Sequence, residues 1–296
     1  MSLMLRLLST TLLISSFLFA SSIEERVSSF IKAKLKQAGP KLKVDNVKIT
    51  KKVSLEGFDG WSLYFVDVKL SVTQKGITKP AEQRYELFSD GKIVALELLD
   101  IKSGESLKAL ASPKFEAKYY KRSNLIAGNA DAKHKIVVFS DPLCPFCTQL
   151  VPGLIRDAKN SPDTFALYLY HFPLSMHPAA ATIVKCMVAA EMKGIKNVAL
   201  RTYTVDEGKK ITRKKGDGGV NPTFTMEETN EKRILNEFNK ALGTKLTIAD
   251  ITNPEVLKHV HEDREVQRLM LVNSTPTLYV DGTKDPSRNR YKNLRK

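Results

Sequence analysis

The sequence predicts two units: an N-terminal α+β unit, then a larger α/β unit in which strands alternate with helices. Three observations predict this. One amphipathic helix pattern is followed by a run of alternating strand patterns, which reads as a helix with a meander. Beyond residue 134, fully apolar strand patterns alternate with helical ones, which reads as a sheet with helices on its faces. Residues 103–128 between them carry neither period for long. At 296 residues, 42% hydrophobic and 27% charged, the chain can bury cores in both units.

Residues 1–20 come first. Arg6 precedes the apolar run "LLSTTLLISSFLF", and small residues follow at Ala20, Ser21 and Ser22. This is the pattern of a cleavable secretory signal, with an uncleaved N-terminal anchor as the alternative. No later segment approaches eighteen uninterrupted apolar residues, so a soluble mature protein is expected.

Residues 21–102 form the first unit. In "IEERVSSFIKAKLKQA", Val27, Phe30, Ile31, Leu35 and Ala38 share one helical face, and Gly39-Pro40 stops the run. Four strand patterns follow: "VDNVKITKKVSL", "WSLYFVDVKLSVT", "QRYELFS" and "KIVALELLDI". The second alternates through Leu63, Phe65, Val68, Leu70 and Val72, with a one-residue slip near Val66-Asp67. Ser89-Asp90-Gly91 marks a tight turn between the last two. Such a sheet is expected to have one solvated face and edges in need of cover, so pairing with a second copy is expected. Residues 103–123 read as a linker helix, with Ser103 as its cap, Leu107, Leu110 and Ala111 on one face, and an interruption at Ser112-Pro113.

Residues 124–296 form the second unit. "HKIVVFSD" is a strand apolar on both faces, and a helix follows at "TQLVPGLIRDAKN". "TFALYLYHFPL" is a strand and "PAAATIVKCMVAAEMKG" a helix. Residues 206–222 are polar without periodicity. "TMEETNEKRILNEFNKAL" and "NPEVLKHVHEDREVQRLMLV" are amphipathic helices. "TPTLYVDG" is a strand ended by Asp281-Gly282, and "DPSRNRYKNLRK" a short basic helix capped by Asp285 with Pro286 in its first turn.

The net charge of +15 is spread along the chain, without an arginine-rich arm or an aromatic ladder. That excludes nucleic acid as the expected partner and leaves a solvated basic surface. The cysteines say more. There are three, Cys144, Cys147 and Cys186, too few to staple a chain this long. A bridge between Cys144 and Cys147 closes almost no loop and removes little unfolded-state entropy. A metal site needs two further ligands. Cys186 and the histidines at 134, 171, 177, 259 and 261 are candidates, but no second close pair has zinc-site spacing, so neither a metal nor another cofactor is expected.

A redox couple fits better. In "FSDPLCPFC", Cys144 falls at the mouth of a helix, where free backbone N–H groups and the positive dipole end favour a thiolate. The thiolate is the attacking species in disulfide exchange. Cys147 lies one turn on, on the same face, and can resolve a mixed disulfide. Pro145 is tolerated in the first turn, where its missing N–H has no helical partner, and Phe146 places an apolar patch beside the sulfur.

"GNADAKHKIVVFSDPLCPFC", "HFPLSMHPAAA" and "NSTPTLYVDG" occur in that order. Together they resemble the landmarks of the DsbA/DsbC/DsbG-type thiol–disulfide interchange proteins, over roughly residues 124–296. The resemblance implies a thioredoxin-like fold with a helical insertion at about 174–272. It implies Cys144 and Cys147 as catalytic residues and redox-active disulfide, with Pro276 a cis-proline. Thr275 and Pro276 would hold substrate backbone, and Pro145, Phe146 and Asp141 would tune the site. The N-terminal unit, with "LFSDGKIVALELLDI", resembles the dimerisation domain of the DsbC/DsbG branch. So do Thr275 before the proline and the dipeptide Pro145-Phe146. Two features depart from that branch: its extra cysteine pair is missing, and the segment after "YVDG" is short.

The resemblance therefore implies a periplasmic, homodimeric disulfide isomerase or reductase acting on unfolded or misoxidised exported proteins. It would be served by a DsbD-like membrane donor. A DsbA-like oxidase served by a DsbB-like oxidant is the alternative within the class, and a non-catalytic dimeric holdase the alternative outside it. Of the remaining residues, Cys186 falls with Ala179, Ile183 and Ala190 on one apolar helical face and reads as a small buried hydrophobe, with an intermolecular bridge as the minor reading. His171 and His177 read as solvated or capping residues. Asp141 reads first as a turn residue before Pro142.

Overall fold

The computed structural model describes residues 21–37, 39–74, 76–102, 104–204, 224 and 226–294. The proposed signal at 1–20, the cap at Ser103 and the polar stretch at 206–222 lie outside them.

Helix α1 (Ile23–Lys36) opens on a capping box in which Ser22 and Glu25 hold each other's backbone N–H groups. It packs on a four-stranded antiparallel sheet ordered β1 (Leu42–Ser54), β2 (Ser62–Gln74), β3 (Ile77–Ser89) and β4 (Val94–Ala95). The last strand is only two residues long. Beyond it the expected strand gives way to an irregular segment in which Leu96, Leu99 and Ile101 are exposed.

The slip in the second strand pattern is not a bulge, because β2 pairs with β3 in unbroken register. The register shifts fall on β1 instead. Tyr64, Val66, Val68 and Leu70 line the face under α1. Leu63 and Phe65 point the other way, into a cluster with Phe88, Leu107 and Leu271. The expected solvated face is thus covered over half of β2 by the chain's own connector, and the apolar pattern changes face where that cover ends. The connector helix α2 (Leu107–Ala111) is one turn long, and its cap is Ser106.

The second sheet has five strands ordered β5-β7-β6-β8-β9. They are β5 (Leu125–Gly128), β6 (His134–Ser140), β7 (Phe165–His171), β8 (Thr277–Val280) and β9 (Thr283–Asp285). Only β6 and β7 run parallel. Both are buried on both faces, as is the shorter antiparallel β8, which is why β6 and β7 read as unbroken apolar runs. Ile136 and Val138 face a core built with α3 (Pro145–Asn160), α4 (Ala180–Met192), α5 (Val198–Tyr203) and α6 (Glu231–Leu242). Val137 and Phe139 face an aromatic layer of Phe115, Tyr168, Tyr170 and Tyr279, closed by Val266 of α8 (Pro254–Leu269). A further one-turn helix, α7 (Ile248–Ile251), precedes α8.

Strands β5 and β9 escaped the sequence reading, being short and at the sheet edges. Gly128, ending β5, has φ +77°, and a Cβ there would meet the Phe165 carbonyl at 1.7 Å, so only glycine lets β5 approach β7. The basic C-terminal segment forms a 3₁₀ turn at Arg290–Leu294. Asp285 accepts from the Arg288 and Arg290 N–H groups, so it acts as a cap, but from the end of a strand. Among the described residues no helix is long and apolar enough to cross a membrane.

Candidate active site

Cys144 is the N-cap of α3, with extended backbone (φ −73°, ψ 122°), and Pro145 is the first helical residue. The Cys144 carbonyl accepts the N–H groups of Cys147 (2.9 Å) and Thr148 (3.0 Å), so the turn carrying both sulfurs is already helical. Pro152, buried in mid-helix, removes one ladder bond, and α3 continues through it because its inner face is packed in the core.

The two sulfurs have opposite environments. Cys144 is pulled down to about 5, first by the Cys147 thiol donating to it, then by Thr275 and by the backbone N–H groups of Cys147 and Phe146. Burial opposes this and loses. Cys147 is pushed far above the ordinary thiol range, first by burial and then by its hydrogen bond to Cys144. One sulfur is an anion near neutrality and the other keeps its proton, as an attacking and resolving pair requires.

Thr275 reaches this pair from the far end of the chain. Its peptide bond to Pro276 is cis. The Cys144 thiol lies 3.6 Å from the Thr275 carbonyl, to which it donates when protonated. Thr275 Oγ1 is buried and has no other partner, which leaves its proton free for the thiolate once Cys144 ionises.

Asp141 is fully buried. Its Oδ1 accepts the Leu143 N–H (2.6 Å), the turn role expected of it. Its Oδ2 accepts the Leu174 N–H (2.7 Å) and contacts His177 Nδ1 (3.0 Å). His177 is therefore neither solvated nor a cap. Burial lowers its pKa, but the hydrogen bond to Asp141 and the fields of Asp141 and Cys144 outweigh that and leave it above the ordinary imidazole range. His171, also read as solvated or capping, is 3% exposed. A histidine between two prolines and small residues gives no local sign of burial; the carboxylate it meets is 36 positions away.

Behind Cys147, Ser140 accepts a hydrogen bond from Tyr203 (2.7 Å), and both adjoin the Cys147 sulfur. Sequence reasoning missed this pair, since Tyr203 belongs to a six-residue helix with no motif. Phe146, in the first turn of α3, and Met176, in the loop after β7, are 64% and 71% exposed. Cys186 is fully buried in the core between helices, and burial pushes its thiol up to about 12. Among the described residues, neither Cys144 nor Cys147 joins a trio of metal-ligating side chains.

A thioredoxin family model matches residues 121–296. A curated relative, the Na(+)/H(+) antiporter NhaA 1 of Mycolicibacterium gilvum, is 27% identical over 163 residues. That match takes in 53% of this chain but only 23% of the relative, so the chain spans about a quarter of that protein. Among solved structures, BdbD of Bacillus subtilis is 15% identical with a TM-score of 0.44, covering 62% of this chain and 92% of that one. A thioredoxin-like oxidoreductase of Silicibacter pomeroyi is 16% identical with a TM-score of 0.43, covering 59% and 95%. The catalytic domain of Proteus mirabilis ScsC is 19% identical with a TM-score of 0.42, covering 60% and 89%. At these identities and TM-scores the likenesses to solved structures do not extend to chemistry.

Proposed function

The chain belongs to the thioredoxin family; from that premise we propose a thiol–disulfide oxidoreductase, an exported enzyme that exchanges disulfides with folding proteins, chiefly as an isomerase or reductase. The observation that carries the proposal is the split between Cys144, ionised near neutrality, and Cys147, held protonated one helical turn away.

In the proposed cycle the Cys144 thiolate attacks a substrate disulfide. Its S–S bond breaks, a mixed disulfide forms, and one substrate thiolate leaves. As an isomerase, that freed thiolate attacks another disulfide of the substrate, and the substrate thiolate displaced there attacks the substrate sulfur of the mixed disulfide, so that Cys144 leaves again as a thiolate. As a reductase, Cys147 gives up its proton and attacks Cys144 Sγ. The second substrate sulfur leaves as a thiol, and two electrons have passed from the pair to the substrate. A membrane donor of the DsbD kind would return them. Pro145, Phe146 and Asp141 would shape and tune the turn. Thr275 and Pro276 would present backbone to the substrate beside the sulfurs, and the exposed Phe146 and Met176 suit apolar segments of unfolded chains. Residues 1–20 support export to the periplasm, and the N-terminal sheet supports a homodimer.

One observation favours an oxidase instead. A thiolate stabilised to about 5 makes the reduced form the comfortable one, and such a pair readily gives its disulfide away. A DsbB-like oxidant would then recharge it. Alkylation trapping in cells decides the direction: a mostly reduced pair supports isomerase or reductase work, and a mostly oxidised pair supports the oxidase. Cys144→Ala decides between enzyme and holdase. Loss of insulin reduction and of scrambled-substrate refolding is expected; wild-type performance in both would leave a non-catalytic chaperone.

A further inference from the structure

A second cluster of chemically able side chains lies apart from the cysteines. His171 ends β7, while His259 and Asp263 stand one turn apart on α8, which packs against β7. One ligand atom from each of the three falls within 4.8 Å of the other two. His171 and Asp263 are 3% and 2% exposed, and the His259 side chain is 11% exposed.

The cluster is incomplete as it stands. Among the described residues, His171 Nδ1 is buried without a hydrogen-bond partner, a condition that costs stability. Asp263 accepts from Asn124 Nδ2 (2.7 Å) and from the His171 backbone N–H (2.9 Å). Among the described residues, the basic group within 4 Å of its carboxylate is His259 Nε2, at 3.6 Å, too far for a hydrogen bond. A buried carboxylate and two imidazoles, one with an unpartnered nitrogen, thus converge on one point.

We propose that His171, His259 and Asp263 bind one divalent transition-metal ion, with zinc the best chemical fit. Two imidazoles and one carboxylate suit zinc and its neighbours, whereas calcium and magnesium take all-oxygen shells. Ligand bonds of about 2.0–2.2 Å require each donor to close in by less than about 1 Å from the present spread. Asn124 and the His171 N–H already fix the Asp263 carboxylate, the supporting role that outer hydrogen bonds play at metal sites. The ion would tie the end of β7 to the helix that leads into Thr275 and Pro276. His261, two residues from His259, does not belong to the trio. The real partner of His259 is Asp263, four residues on, and the third donor comes from a strand end no helix pattern could supply.

The test uses the full chain, untagged, with Cys144 and Cys147 oxidised to a disulfide so that neither sulfur can ligate. After dialysis against chelator, titration with Zn²⁺ is expected to saturate at one ion per chain, with micromolar or tighter affinity and a raised unfolding temperature. Co²⁺ loading is expected to give visible d–d bands without a sulfur-to-cobalt charge-transfer band. His259→Ala is expected to weaken Zn²⁺ binding at least tenfold with an unchanged circular dichroism spectrum, and Asp263→Asn serves if that variant does not fold. No saturable Zn²⁺ binding by the wild type, or wild-type affinity in a folded His259→Ala chain, overturns the proposal.

Discussion

Asp141 Oδ2 and His177 Nδ1 meet at 3.0 Å inside the protein, joining the turn before Cys144 to the loop after β7. The carboxylate is fully buried, and its remaining contacts are backbone N–H groups on both sides of that junction. It therefore fixes the loop and favours the protonated form of the imidazole. The field between that imidazole and Cys144 makes His177 part of the thiolate's environment.

Replacing His177 with alanine is accordingly expected to raise the Cys144 pKa. The alkylation rate by iodoacetamide at mildly acidic pH should fall severalfold to about tenfold, the size of an interaction of about 1 kcal/mol. His177→Lys, which restores a positive charge, should recover part of the rate. An unchanged rate profile in the alanine variant would remove His177 from the thiolate's surroundings.

Thr275→Val tests the other side of the sulfur. The swap keeps the β-branched shape and deletes a buried hydroxyl that, among the described residues, has no partner other than Cys144. A hydrogen bond to a charged acceptor is worth about 1.5–3 kcal/mol. The Cys144 midpoint, followed by thiolate absorbance in the ultraviolet, should move up while thermal stability hardly changes. Loss of stability without a midpoint shift would assign Thr275 a purely structural role.

What the sequence made legible follows from how local the cause is. The strand, turn and helix around Cys144 rest on neighbouring residues, so "KIVVFSDPLCPFC" was enough to read them. The hand-over of apolar faces near Val66 looked like a slip, because the residues that cover Leu63 and Phe65, Leu107 and Leu271, lie far along the chain. Distance also hid the partners of Asp141 and Ser140. His177 and Tyr203 arrive through tertiary packing, and neither has a sequence context that marks it. A proline such as Pro152 would locally argue for a break, yet the buried face of α3 overrides it.

The reduced protein should gain stability as pH rises. Cys144 has a folded pKa of about 5, below its unfolded value near 8.5, so between these the unfolded chain binds one proton more. Its contribution is fully present above the unfolded value and is lost as pH falls through about 5. Denaturant midpoints of the reduced wild type should climb over that window relative to Cys144→Ala. Above it Cys147, raised by burial, reverses the trend, since unfolding frees it to ionise. Parallel curves for the two proteins would contradict the low Cys144 pKa.

The two sheets are joined by an ion pair that the same logic makes sensitive to half-removal. Lys284 Nζ of β9 reaches both carboxylate oxygens of Glu86 on β3 (2.9 and 3.0 Å), with side chains only 12% and 9% exposed. Nearby, Asn273 donates to the Arg84 carbonyl (2.9 Å), so β3 adjoins the segment leading to Thr275. Lys284→Met strands the Glu86 carboxylate in a nearly dry contact, at a cost of about 3 kcal/mol, whereas the double variant Lys284→Met, Glu86→Leu leaves no unpaired charge and should recover most of it. Equilibrium denaturation of the four proteins of this cycle measures the coupling. Additive losses would mean that the contact is solvated, and that the N-terminal sheet is held to the second unit by other contacts, such as the apolar packing of Leu63, Phe65 and Leu271 and the Asn273–Arg84 hydrogen bond.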